Sequence, residues 1–65
     1  MTEYVVTEIA GGVMTVRFNR PEKKNAITAA MYAALADSCR KADRDSAVRV
    51  VVITGSGDAF TAGND

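Results

Sequence analysis

The sequence predicts an α/β fold in which a β-hairpin leads into a strand–helix–strand unit. Three observations support this fold class: a Gly-Gly dipeptide between two strand-like segments, an apolar stripe at helical spacing, and a run of β-branched residues after the stripe. Hydrophobic residues make up 48% and charged residues 25% of the 65 residues, values that exclude a disordered tail or a fibrous repeat. A chain of this length supports one small core, so we do not expect a complete large enzyme.

The hairpin is predicted from residues 4–10 and 13–18. The first segment is rich in β-branched and aromatic residues, and the second alternates along VMTVRF. Gly11 and Gly12 lie between them, and glycine adopts the positive φ angles of a tight hairpin turn without steric cost. We therefore expect two antiparallel strands joined by a two-residue turn.

A helix is predicted from Thr28, as its N-cap, to about Arg44. The threonine hydroxyl can accept a hydrogen bond from a backbone N–H of the first turn, although no Glu or Gln follows three residues later. One face of this helix is expected to be buried, and Cys39 on that face is interpreted as a core residue without chemistry. The face comprises Met31, Leu35, Ser38, Cys39 and Ala42.

The next strand is predicted at residues 48–54, where Val50 to Ile53 form an uninterrupted apolar run. Such a run is typical of a strand that is buried on both faces in a parallel sheet. Pairing it in parallel with residues 13–18 brings the carboxyl ends of both strands to one edge, where ligands bind in open α/β sheets. The loops at residues 19–27 and 55–65 leave that edge, and together they predict one site.

Composition excludes several classes of function. The net charge is zero, which argues against a nucleic-acid or membrane partner. There is no histidine and a single cysteine, so a zinc site, an internal disulfide and a histidine-dependent nucleophile are not expected. No signal peptide or membrane-length apolar run is present, which favours a cytoplasmic location.

The two loops taken alone carry only weak signals. Residues 55–65 are glycine-rich but contain neither a complete dinucleotide fingerprint nor a P-loop, so their composition favours a plain turn. The four cations of the first loop region can meet phosphates, yet in isolation a solvated surface is the better interpretation. These cations are Arg17, Arg20, Lys23 and Lys24.

Two motifs in order nevertheless carry a family resemblance. The run NRPEKKNAI at residues 19–27, followed by GSGDAFTAGND at residues 55–65, resembles the enoyl-CoA hydratase/isomerase (crotonase) family. The resemblance covers essentially the whole chain. It implies a crotonase-like (ClpP/crotonase) fold, with residues 1–65 as the N-terminal part of a single domain whose remainder lies outside the chain.

The same resemblance implies a set of site residues. Asn64 corresponds to the position whose backbone N–H serves the oxyanion hole, and Gly63 allows the turn that directs this amide. Ala62 resembles the position whose carbonyl accepts from the adenine amino group, and the lysines are placed to meet CoA phosphates. The implied substrate-binding set is Lys23, Lys24, Ala26, Ala62, Gly63, Asn64 and Asp65, with no metal ligand.

The resemblance implies that the substrate is an acyl-CoA and that no cofactor is needed beyond the CoA of the substrate. Hydration of a 2-trans-enoyl-CoA is the favoured activity. Asn64 in place of the more common alanine resembles the Δ3,Δ2-enoyl-CoA isomerase branch, so isomerisation stays open. A CoA-binding module without chemistry is the alternative of another class. Assembly as a homotrimer or a dimer of trimers is also implied, whereas the proton-transferring glutamates have no counterpart in these residues.

Overall fold

The structure, a computed structural model that describes residues 4–64, contains a three-stranded mixed sheet and one long helix. The sheet order is β1-β2-β3, with β2 paired antiparallel to β1 and parallel to β3. This architecture confirms the predicted α/β class and the parallel strand–helix–strand unit. The elements are β1 (Val5–Ala10), β2 (Val13–Phe18), α1 (Ala29–Arg44) and β3 (Val50–Gly55).

The hairpin turn between β1 and β2 is built by its two glycines. Gly11 has φ of +58° and Gly12 has φ of +81°, so both central residues of the turn are left-handed. Turns of this kind match the right-handed twist of paired strands. The hairpin prediction is confirmed, with β1 beginning at Val5, one residue later than expected.

Helix α1 begins where the sequence predicts. The Met31 backbone N–H donates to Thr28 Oγ1 at 3.2 Å, and the Thr28 N–H in turn donates to Met31 Sδ at 3.5 Å. A methionine sulfur thus occupies the place of the Glu or Gln of an ordinary capping box.

Among residues 4–64, no helix has the length and apolar character that a membrane span requires.

The core lies between α1 and one face of the central strand. Met14, Val16 and Phe18 are at most 2% exposed and alternate with half-buried residues along β2. Ile27 and Met31 close this core from the first loop and from α1. The period-two burial pattern shows that α1 covers only one face of the sheet.

Strand β3 differs from the prediction in both position and burial. It spans Val50–Gly55 instead of residues 48–54, and within the described residues 4–64 its Val50 to Ile53 are 37–53% exposed instead of buried on both faces. The physical reason is that β3 lies at the edge of the sheet formed by residues 4–64, while α1 packs against β1 and β2. Cys39, expected in the core, is exposed for the same reason.

Replacing Gly55 with alanine is expected to destabilise the protein by about 3 kcal/mol, the upper range for overpacking. A Cβ atom at this position would lie 2.5 Å from the Ala59 carbonyl oxygen and closer still to that of Phe60, and backbone atoms cannot move aside cheaply. Denaturant unfolding of the purified protein measures the loss.

The matched control for this substitution is Gly11→Asn. Gly11 lies in the hairpin turn, nothing lies within 4 Å of the position that a Cβ atom would take there, and asparagine tolerates positive φ. We expect this variant to unfold within about 1 kcal/mol of the unaltered protein. Equal losses in the two variants would contradict the close approach at Gly55.

Candidate functional site

Two loops leave the same edge of the sheet and pack against each other. The first loop (residues 19–27) follows β2, and the second loop (residues 56–64) follows β3. Phe18 and Gly55 are paired at the ends of these parallel strands, and the Ser56 N–H donates to the Phe18 carbonyl at 2.8 Å. The parallel register therefore starts both loops side by side, as the sequence predicts.

The Asn25 side chain joins the two loops. Asn25 is fully buried, and its Nδ2 group donates to the carbonyls of Ser56 at 2.8 Å and Ala59 at 2.7 Å. Its Oδ1 atom accepts from the Arg20 backbone N–H at 2.8 Å within the first loop. Both amide protons thus bind carbonyls of the second loop, which fixes the distance between the loops.

Backbone geometry turns Asn25 toward its partners. Lys24 and Asn25 have φ of +52° and +59°, the left-handed region that asparagine adopts more readily than most residues. A short 3₁₀ turn at Pro21–Lys23 precedes them, and the Asn25 N–H donates back to the Arg20 carbonyl at 2.9 Å. The backbone of the first loop therefore has a compact conformation that its own hydrogen bonds stabilise.

A second crossing between the loops holds the peptide that joins Gly63 to Asn64. The Ile27 N–H donates to the Gly63 carbonyl at 2.7 Å, and Ile27 forms a parallel bridge with Asn64. Because a trans peptide is planar, its N–H points opposite to its carbonyl, so this bond directs the Asn64 N–H away from Ile27. Within residues 4–64 no atom accepts a hydrogen bond from that N–H.

Gly63 supplies the conformation that this arrangement needs. Its φ is +96°, and nothing lies within 4 Å of the position of a Cβ atom. A side chain there would therefore strain the backbone without meeting a neighbouring atom. The orientation of the Asn64 N–H depends on this backbone conformation.

The Asn64 side chain is held by helix α1. The Tyr32 hydroxyl donates to Asn64 Oδ1, and both residues are exposed. Tyr32 lies in the first turns of α1, so this contact connects the helix to the end of the second loop. The side chain is oriented by the helix, while the backbone N–H is oriented by the first loop.

Positive charge lies on the outer side of the first loop. Lys23 and Lys24 are both exposed, and Lys24 Nζ forms an ion pair with Asp58 at 3.2 Å. Exposed pairs of this kind contribute little to stability and are screened by salt. The Arg20 guanidinium lies 5.5 Å from the centre of the Tyr4 ring and donates to the Ala26 carbonyl at 3.1 Å.

The structure brings most of the sequence-predicted site residues together. Lys23, Lys24 and Ala26 belong to the first loop, and Ala62, Gly63 and Asn64 to the second, with the Ile27 bridge between the two groups. Ala62 and Asn64 are exposed, whereas Ala26 and Gly63 are half-buried. Asp65, also predicted for the site, lies outside the described residues.

Sequence reasoning assigned no role to Asn25, Thr61 or Tyr32. Asn25 stands in the motif that carried the resemblance, and its signal was the type of residue: asparagine in a loop tolerates positive φ and bonds to backbone. Thr61 contacts Asn25 and Gly63 through its hydroxyl. No sequence signal pointed to Tyr32, because its partner is 32 residues away.

Chemically, the arrangement offers a directed backbone donor next to a cationic surface. A backbone N–H at a fixed position stabilises an oxygen that gains negative charge, and exposed lysines attract phosphates. Glu22 and Asp58 are the carboxylates of the two described loops, and both are exposed. The described groups are suited to binding an anion and to stabilising negative charge, while no buried acid or base accompanies them within residues 4–64.

Comparisons with known proteins agree on one family. A family model described as enoyl-CoA hydratase/isomerase matches residues 8–65. The chain is 38% identical over 65 residues to 1,2-epoxyphenylacetyl-CoA isomerase of Escherichia coli K12, covering 100% of this chain and 25% of that protein. It is 38% identical over 63 residues to human enoyl-CoA delta isomerase 2, covering 97% of this chain and 16% of that protein.

The solved structures show the same fold. The crystal structure of carnitinyl-CoA hydratase from Mycobacterium avium matches with a TM-score of 0.94 at 39% identity, over 100% of this chain and 25% of that one. This similarity confirms the crotonase-like fold expected from the sequence motifs. The chain spans a quarter or less of the length of these relatives.

Replacing Asn25 with alanine is expected to destabilise the protein by about 3 kcal/mol, because two carbonyls and one N–H lose their partner. Asn25→Asp is expected to be at least as damaging, since a carboxylate would face the Ser56 and Ala59 carbonyl oxygens. Thermal or urea unfolding of the purified protein gives both values.

Asn19→Ala is the matched control. Asn19 lies in the same loop, and its structural contact is a backbone N–H that donates to the Tyr4 carbonyl at 2.7 Å, which alanine retains. We expect a change within about 0.5 kcal/mol for this variant. If Asn25→Ala behaved like Asn19→Ala, the connection between the loops would not depend on the Asn25 side chain.

Proposed function

Because the chain belongs to the enoyl-CoA hydratase/isomerase family, we propose that it forms the acyl-CoA-binding part of an enoyl-CoA hydratase. The observation that carries this proposal is the Asn64 backbone N–H, which is directed out of the loop pair and has no acceptor within residues 4–64. In the proposed reaction, this N–H donates to the thioester oxygen of a 2-trans-enoyl-CoA. Residues 1–65 are then the N-terminal part of one crotonase-like domain that continues beyond them.

The proposed chemistry is addition of water across the conjugated double bond. The water oxygen bonds to C3 as a general base takes one of its protons, and the π electrons of the double bond move through C2 to the thioester oxygen. The resulting enolate takes up a proton at C2. The Asn64 N–H stabilises this oxygen most strongly when its charge is greatest, which lowers the barrier. Proton transfer and a second oxyanion donor are assigned to residues outside this chain.

The cationic first loop is proposed to bind the nucleotide part of CoA. Lys23 and Lys24 are exposed on the same loop whose inner side holds Asn64 in place. The ion pair between Lys24 and Asp58 shows that the Lys24 ammonium group contacts an anion on the second loop. Ala62 is exposed beside Gly63, and the family resemblance assigns the adenine contact to its backbone carbonyl.

Isomerisation of the double bond is the second candidate. It is favoured by Asn64, because asparagine in place of the more common alanine resembles the isomerase branch of the family. Tyr32 binds the side chain of this residue at the end of the second loop. The similarity to human enoyl-CoA delta isomerase 2 also supports it. Both reactions pass through an enolate and use the same N–H, so the two candidates differ in the acid and base groups outside this chain.

The proposal extends to assembly and location. The family resemblance supports a homotrimer or a dimer of trimers, without a cofactor besides the CoA of the substrate. A cytoplasmic location is proposed because similar proteins such as the Escherichia coli K12 isomerase are bacterial. Light scattering of the purified protein at several concentrations measures the assembly.

Activity measurements on the longer protein that contains these residues test the site. We expect hydration of crotonyl-CoA, and we expect Gly63→Val to lower turnover by roughly 10²–10³, the cost of losing an oxyanion donor. Asn64→Ala is expected to retain turnover within a few-fold, because it keeps the backbone N–H. Equally large losses in both variants would contradict the backbone assignment.

Gly11→Val is the matched control for Gly63→Val. Both glycines have positive φ and nothing within 4 Å of a Cβ position, but Gly11 lies in the hairpin turn at the opposite end of β2. We expect Gly11→Val to lose stability and keep turnover. Isomerisation of a 3-enoyl-CoA without hydration would favour the second candidate, and binding without either reaction would favour a non-catalytic CoA-binding module.

The double substitution Lys23→Glu with Lys24→Glu is expected to weaken binding of an acyl-CoA by at least about tenfold and to leave binding of a short pantetheine thioester nearly unchanged. The physical reason is that only the CoA ligand carries the phosphates. Isothermal titration with the two ligands gives the comparison.

Lys41→Glu with Arg44→Glu reverses the same amount of charge at the far end of α1 and serves as the control. We expect both ligands to bind this variant with nearly unchanged affinity. If the loop variant lost affinity equally for both ligands, the two lysines would not be phosphate partners.

A further inference from the structure

The Thr61 hydroxyl lies between Asn25, which joins the two loops, and the Gly63–Asn64 peptide, whose N–H is the proposed oxyanion donor. Thr61 Oγ1 donates to the Asn25 backbone carbonyl at 2.8 Å, and it accepts from the Gly63 backbone N–H at 3.1 Å. Both partners are backbone groups. We infer that Thr61 is a positioning residue. Because its hydroxyl binds both Asn25 and Gly63, it holds Gly63 at a fixed place relative to Asn25 and so sets the direction of the Asn64 N–H.

A hydroxyl is suited to this task because it donates one hydrogen bond and accepts others at the same time. Its acceptor, Asn25, is held firmly, since it is fully buried and bonded through both its side chain and its backbone. The contact from the Gly63 N–H to a side chain two residues earlier is a local turn that orders an otherwise irregular segment. The hydroxyl thus connects a firmly held residue to a glycine.

Gly63 is held at both of its backbone polar groups. Its N–H is bound to Thr61, and its carbonyl accepts from the Ile27 N–H at 2.7 Å. Fixing the carbonyl sets one direction of the peptide that continues to Asn64, while fixing the N–H limits rotation about the Gly63 backbone. Gly63 has φ of +96°, and because glycine carries no side chain that restricts φ, the Thr61 bond is a contact that limits this rotation.

This inference rests on the proposed function, because it assigns to Thr61 the alignment of the Asn64 donor. It predicts that the hydroxyl matters for the transition state more than for binding of the substrate. Misdirection of a donor by a fraction of an ångström lowers turnover, whereas contacts to the CoA nucleotide remain in place.

The test compares Thr61→Val with Thr61→Ser in the longer protein that contains these residues. Valine keeps the branched shape and removes the hydroxyl, while serine keeps the hydroxyl and removes the methyl group. We expect Thr61→Val to lower kcat about tenfold with KM changed less than about threefold, and Thr61→Ser to restore kcat to within about twofold of the original. Melting temperatures of both variants are measured alongside.

A spectroscopic measurement reports the donor directly. The conjugated thioester cinnamoyl-CoA absorbs at longer wavelength when a hydrogen bond polarises its carbonyl, and this shift is read on mixing, before turnover. We expect a red shift with the unaltered protein, a clearly smaller shift with Thr61→Val and a restored shift with Thr61→Ser.

The outcomes separate this inference from the proposed function. Absence of any red shift with the unaltered protein overturns the proposed donor and the inference with it. A red shift that persists in full in Thr61→Val overturns the positioning role alone. Equal losses in the valine and serine variants, or a valine loss confined to melting temperature and KM, also overturn it.

Discussion

The Asn25 amide is the interaction on which the rest of the site depends. It is fully buried and bonds to backbone groups in both loops. An amide in this position holds two irregular segments together without a disulfide or a metal, because its donors and its acceptor are directed to fixed backbone atoms. The Thr61 hydroxyl and the Ile27 bridge extend this order to Gly63 and Asn64.

The same edge of the sheet explains why backbone groups dominate this site. Because β2 and β3 are parallel, both strands end at the same edge of the sheet. The two loops therefore begin at neighbouring residues that are joined by a hydrogen bond. Loops on a rigid scaffold present backbone N–H groups that need no reorganisation when a ligand arrives. Because the chain has no histidine, an oriented backbone amide is the group in these loops that is best suited to stabilising negative charge.

The apolar surface of β3 reflects the position of this strand in the sheet. Its valines and Ile53 are partly exposed, although a run of β-branched residues is typical of a buried parallel strand. Among the described residues nothing pairs with the outer edge of β3, and α1 packs over the other two strands. An open apolar edge of this kind favours association with further structure. Cys39 is exposed beside Val50 and Val51 on the same side of the molecule.

The sequence by itself determined the local elements. Gly11 and Gly12 specify the hairpin turn, Thr28 specifies the start of α1, and the β-branched run specifies a strand parallel to β2, because each signal depends on neighbouring residues. Motif spacing also placed Asn64 and the lysines in adjacent loops. Only the tertiary structure decided that both faces of β3 are exposed among the described residues, that Cys39 is exposed, and that Asn25, Thr61 and Tyr32 hold the second loop. These contacts join residues far apart in the chain, and their partners are mostly backbone atoms whose positions no local pattern encodes.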